Sequence, residues 1–307
     1  MLFDRCRSGA GLGERVKKVL VVTVLAASLG LASCGVTASL NQAVSSLGAS
    51  PNVQIHLTAS ASGSRSAQIE KVLSLLSFDM SYSNPSGAPL SQVTNKVNIE
   101  LIVNVGSQQL VDVRFVGQNA YLFVNASAIS DIPGANVSPA ELSAVQLLLG
   151  DRWFELPKSL IEKYAAKEKA PQASAAATKD QALEKQVIDA LTGVIEATPY
   201  KTLTGGGYTQ TGTLESIAKA ELPIIKTFTG TTNLPATVKG SYSIAFTMSG
   251  STATGGSIGI TAPNGTKGNS TVTLNATLAH ANDSIVAPTG VTVLTPAVLR
   301  GLLAGAK

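Results

Sequence analysis

The 307-residue sequence predicts an α+β fold, an antiparallel β-sheet carrying amphipathic helices, and two patterns support this. Val97, Ile99, Leu101, Val103 and Val105 alternate with Asn98, Glu100 and Asn104, the period of a strand with one apolar face. The connections that follow, Gly106-Ser107-Gln108 and Gly117-Gln118-Asn119, are too short for parallel crossovers, so the chain must return antiparallel through Val111, Val113 and Phe115 and then through Tyr121-Leu122-Phe123-Val124. Between the strands, apolar residues fall at helical spacing: Ile69, Val72, Leu73 and Leu76, then Leu142, Val145, Leu148 and Leu149, then Leu183, Val187, Leu191, Val194 and Ile195.

Taken in order, the chain opens with basic residues (Arg5, Arg7, Arg15, Lys17, Lys18) and an apolar run from Val19 to Leu31. That run is shorter than the roughly twenty residues a membrane-spanning helix needs, so it reads as a cleaved export signal. Leu31-Ala32-Ser33-Cys34-Gly35 resembles a bacterial lipoprotein signal. The resemblance implies that residues 1–33 are removed and that Cys34 carries lipid as the new N-terminus. It would place the protein on the extracytoplasmic face of a cell membrane. One acyl chain holds a protein only marginally, and the two or three chains implied here would hold it essentially permanently.

Removal of the signal changes the charge balance. Of 23 Lys and Arg, five lie upstream of Cys34, as do two of 19 Asp and Glu, which leaves 18 against 17. Such a near-neutral chain, with no basic cluster interleaved with aromatics, is not expected to bind nucleic acid. Cys6 and Cys34 are the two cysteines, so the exported part has no disulfide and must be held by its own core. Residues 34–51 read as the lipidated cysteine and a short tether with a helix (Leu40, Ala43, Val44, Leu47). Residues 52–307 read as one β-rich domain with an Ala/Lys-rich insert near 165–180.

Within that domain Val53, Ile55 and Leu57 share one strand face and His56 the other, and Phe78, Met80 and Tyr82 alternate up to the Asn84-Pro85-Ser86-Gly87 turn. Trp153-Phe154-Glu155-Leu156 is a strand stopped by Pro157. Strands resume over Gly206 to Leu214, Tyr242 to Met248, Ser257 to Thr261 and Thr271 to Ala279, and a last one lies near Val291 to Leu294. Both halves end in a strand, a proline and a Leu-rich piece: Phe154-Glu155-Leu156-Pro157 and Val293-Leu294-Thr295-Pro296.

Catalytic chemistry is sparse. Gly255-Gly256-Ser257-Ile258-Gly259 matches a nucleophile-elbow pattern, but a strand follows it instead of a helix, and Asp283 comes after His280 rather than before. His56 and His280 lack a carboxylate cluster at ligand spacing, so no metal and no cofactor are expected. Glu100 and Asp112 could face each other across a hairpin, most simply as solvated charges. The domain therefore reads as non-enzymatic.

The lipobox, the short helix, Val53-Gln54-Ile55-His56-Leu57-Thr58, the meander through Val113-Arg114-Phe115-Val116-Gly117-Gln118-Asn119-Ala120-Tyr121-Leu122-Phe123-Val124, and Asp151-Arg152-Trp153-Phe154 follow one order. That order resembles the LppX/LprG-type bacterial lipoproteins and, more distantly, the LolA-like lipid carriers. The resemblance implies a strongly curved antiparallel sheet, or half-barrel, with helices over its concave face. It also implies an apolar cavity for the acyl chains of a lipid or lipoglycan. The expected lining is Val97, Ile99, Leu101, Val103, Val113, Phe115, Tyr121, Phe123 and Trp153. The alternative is an envelope lipoprotein with a filled core that serves as a structural or protein-interaction module.

Overall fold

The computed structural model describes residues 45–63, 67–92, 97–135, 137–150, 152–158, 186–187, 189–191, 193–229, 238–263, 268–281 and 283–295. The signal, Cys34 and the 165–180 insert lie outside the described residues. So does most of the tether helix, of which 45–48 are helical.

Twelve strands form a single open sheet: β1 (Asn52–Ser62), β2 (Leu76–Ser83), β3 (Asn98–Val105), β4 (Gln108–Val116), β5 (Asn119–Val124), β6 (Trp153–Leu156), β7 (Lys201–Thr202), β8 (Gly207–Thr213), β9 (Ser241–Ser249), β10 (Thr252–Pro263), β11 (Asn269–His280) and β12 (Thr292–Val293). Their spatial order is β12-β6-β5-β4-β3-β2-β1-β11-β10-β9-β8-β7. Two meanders, β1 to β6 and β7 to β11, therefore meet where β11 pairs with β1, from Val53 opposite His280 to Ser62 opposite Thr271. Every neighbouring pair is antiparallel except β12 with β6, so the sheet is mixed, not purely antiparallel.

Two-residue connections make the first meander possible, since Gly106 and Gly117 take φ of 60° and 63°, a left-handed conformation that costs glycine little. A register shift between Val103 and Asn104 keeps the apolar residues in phase. Without it Glu100 would sit opposite Val113; with it Glu100 pairs with Arg114, and Val113 with Leu101.

Helix α1 (Ala67–Leu75) follows β1 and packs against β1 and β2. Helix α2 (Pro139–Leu149) starts at a capping box, where Ser138 accepts from the Glu141 amide at 3.2 Å and its own amide donates to Glu141 at 2.8 Å. It rests on the 3₁₀ turn Ser127–Asp131 and, through Leu149, on Phe154. The helical residues before Thr198 are tied down by the buried Gln210, which donates to the carbonyls of Ile195 and, at 2.6 Å, Thr198. Helix α3 (Leu214–Thr229) was not expected; Thr213 caps it by accepting from the Ser216 amide at 3.2 Å, and Pro223 lies inside it. Among the described residues no helix is long and apolar enough to cross a membrane.

After β11 the chain returns from the centre of the sheet to its far edge. Ala281 donates to the Asn52 carbonyl, the Ile285 amide donates to Ser83 at 3.0 Å, and Asn98 donates to the Ile285 carbonyl at 2.9 Å. β11 and β12 stand seven strand positions apart in the sheet. This strap ends as β12, whose Thr292 and Val293 pair with Phe154 and Glu155. The two segments that echo each other in sequence thus lie side by side.

Candidate functional site

The ladder places the apolar residues of neighbouring strands opposite one another, on one face of the sheet. One row runs Val53, Tyr82, Ile99, Phe115; the next runs Leu278, Ile55, Met80, Leu101, Val113, Leu122. The face continues across β10 and β9 through Ile258, Ile260, Ile244 and Tyr242. Val53, Ile55, Tyr82 and Ile99 form its buried core cluster, with Leu90, Val97 and Phe115 packed on it. Further along the strands, Leu57, Phe78, Leu101, Val103, Val111 and Val113 are only half-buried. An apolar face left half-covered is a surface that a hydrophobic ligand can complete.

Of the nine expected lining residues, six share this face: Val97, Ile99, Leu101, Val103, Val113 and Phe115. Tyr121, Phe123 and Trp153 lie on the opposite face, which corrects their assignment to the same lining. In β5 it is Leu122 that pairs with Val113 and Phe154, whereas Tyr121 pairs with Arg114 and Glu155, and Phe123 with Asp112 and Trp153.

Those three aromatics belong to a polar constellation. Arg114 lies 2.7 Å from Glu100 and 3.1 Å from Asp112, and its guanidinium stacks 4.7 Å from the centre of the Trp153 ring. Trp153 in turn meets Phe123 at 5.5 Å between ring centres. Glu100 and Asp112 do not face each other; an arginine holds both. Asp112 is 1% exposed, and burial pushes its carboxyl up to about 6 against the opposing pull of Arg114. Because that value lies above the unfolded one, protonated Asp112 favours the fold below about pH 4, and this contribution is lost as pH rises through 6. Between pH 7 and pH 5 the wild type should therefore gain about 1 kcal/mol over Asp112→Asn in urea unfolding. A gap independent of pH would show a solvated carboxylate.

On the same face His56 Nδ1 meets Asp79 at 2.7 Å, and Asn104 donates to the other Asp79 oxygen at 2.8 Å. Ser257 sits in mid-strand, paired with Asn275 and Ala245, in no elbow. Among the described residues no group of three or more His, Cys, Asp or Glu could hold a metal. A depression of about 590 Å³ at Thr202, Gly205–Tyr208 and Met248–Ser251 lies by the turns at the β7 and β8 edge and is mainly polar, away from the expected lining. No known family model matches the chain, and no curated protein matches it.

Proposed function

We propose that this protein is a membrane-anchored extracytoplasmic lipoprotein that binds and carries a hydrophobic ligand, the acyl chains of a lipid or lipoglycan, and that Cys34 is its lipidation site. In this reading the open sheet curves into a half-barrel and its helices cover the concave, apolar side. The observation that supports it is the apolar face itself, continuous from β5 to β9 yet half-covered over much of its length. Each methylene moved from water onto such a face contributes about 0.8 kcal/mol, so a long acyl chain has a strong preference for it.

Two measurements test the proposal. Native mass spectrometry and lipid extraction of the purified full-length protein should find bound lipid, and a fluorescent fatty acid should be displaced by it. Consistent absence of lipid, with recovery of a defined protein partner by crosslinking, would favour the interaction-module reading instead. Separately, Cys34→Ala should abolish incorporation of labelled palmitate and release the protein from the membrane fraction, whereas unchanged labelling would remove Cys34 from the scheme.

A further inference from the structure

The polar depression of about 590 Å³ lies between the turn that follows β7 and the β9–β10 turn. Register fixes which side of the sheet it is on. Thr202 pairs with Tyr208, and Tyr208 with Phe246, so Thr202, Tyr208 and, two residues beyond Phe246, Met248 stand on the side that carries the apolar residues. Lys201 alternates to the other side. From Tyr208 and Met248 the same side continues through Phe246 to Ile244 and Ile258. The depression is therefore a polar end to the apolar face.

Its chemistry narrows what it can hold. No charged side chain lines it among the described residues, so a phosphate or carboxylate would lose water there without gaining a counter-charge. An acyl chain is equally unsuited, because the lining is mainly polar. Thr202, Tyr208, Ser249 and Ser251 bring four hydroxyls with no hydrogen-bond partner among the described residues, each able to donate and to accept. Beside its hydroxyl, Tyr208 offers a half-buried flat ring. At Gly206, with φ of 98°, a Cβ would meet the Met248 carbonyl at 3.1 Å, and the glycines on either side leave the main chain bare for a ligand to approach. Uncharged groups that both donate and accept, next to a flat ring, match a sugar, which carries hydroxyls around its rim and C–H groups on its faces. The volume falls within the range of about 300–1,000 Å³ usual for small-molecule sites.

We propose that this depression binds a neutral glycosyl group, either the headgroup of a glycolipid whose acyl chains lie on the adjoining apolar face or a free saccharide. The glycolipid form rests on the apolar face being the ligand face; the sugar site stands on its own lining.

The test uses the full-length protein and three sets of soluble probes: dihexanoylglycerol, its glucosyl, galactosyl and mannosyl derivatives, and the corresponding methyl hexosides. At least one hexosyl lipid should bind about tenfold more tightly than dihexanoylglycerol, the worth of one or two net hydrogen bonds. Ser251→Trp fills the depression from an exposed turn, and should remove that advantage while leaving the affinity for dihexanoylglycerol unchanged. Lipid binding with no preference for any sugar, or a preference that survives in Ser251→Trp, would overturn the sugar site and leave the ligand face standing. Binding of a methyl hexoside that Ser251→Trp abolishes, with no binding of either lipid, would uphold the site for free saccharides and overturn the apolar reading. No binding of any probe would overturn both.

Discussion

Replacing Arg114 by alanine should destabilise the fold by about 3 kcal/mol, an unusually large effect for a residue on the polar side of a sheet. The cost does not come from the lost attraction alone. Arg114 stands between Glu100 and Asp112, and Asp112 is 1% exposed. Without the guanidinium a buried carboxylate has no counter-charge and a second acid lies close by, so Asp112 must either stay ionised at high cost or take up a proton. The deficit should accordingly be larger at pH 8 than at pH 5, where protonation relieves it. Part of the loss is apolar, because the guanidinium covers the Trp153 ring. Arg114→Met, which keeps much of the stem, should recover that part and none of the pH dependence. Urea unfolding at both pH values measures these quantities. A variant within about 0.5 kcal/mol of wild type at pH 8 would mean that the two acids are solvated and the cluster is ordinary surface.

How far the sequence discloses this arrangement depends on which physical signal each residue carries. Alternation is local, so β2, β3 and β4 and the apolar parity of Val97 through Phe115 were legible from period alone. Tyr121-Leu122-Phe123-Val124 has no period: four apolar residues in succession fit either face, and only pairing with β4 decides that Leu122 and Val124 point with Val113 and Val111. Trp153-Phe154 is ambiguous for the same reason. Glu100 and Asp112 share the polar face without facing each other, because the one-residue shift near Val103, which has no residue-level signature, puts Arg114 opposite Glu100 and Ile102 opposite Asp112. Helix α3 was hidden by Pro223, although Thr213 as cap and the Glu215–Lys219 pair at 2.7 Å were available as signs of a helix start. The β1–β11 seam that joins the two meanders, and the parallel β6–β12 edge, are long-range pairings. Strand patterns show that a face exists without naming its neighbour.

Phe154→Ala should cost about 3 to 5 kcal/mol, the range for emptying a phenylalanine site in a close-packed core. Phe154 is 1% exposed, and the small cluster it anchors joins Leu149 at the end of α2, Leu156 on its own strand and Leu294 beyond β12. β12 has two residues, and Leu294 is fixed by its backbone N–H, which donates to the Glu155 carbonyl at 2.8 Å, and by its own burial at 7% exposure. Losing the ring should therefore loosen the edge before the centre: amide exchange at Leu294 should accelerate under conditions where Ile55 and Tyr82, in the separate buried cluster, remain protected. Leu294→Ala should show the same local pattern at smaller cost. Because both side chains belong to one cluster, the double variant should lose less than the two single losses combined, with a coupling of about 1 kcal/mol or more. Strict additivity, or equal acceleration of exchange across the whole sheet, would instead mean that β12 docks independently of Phe154.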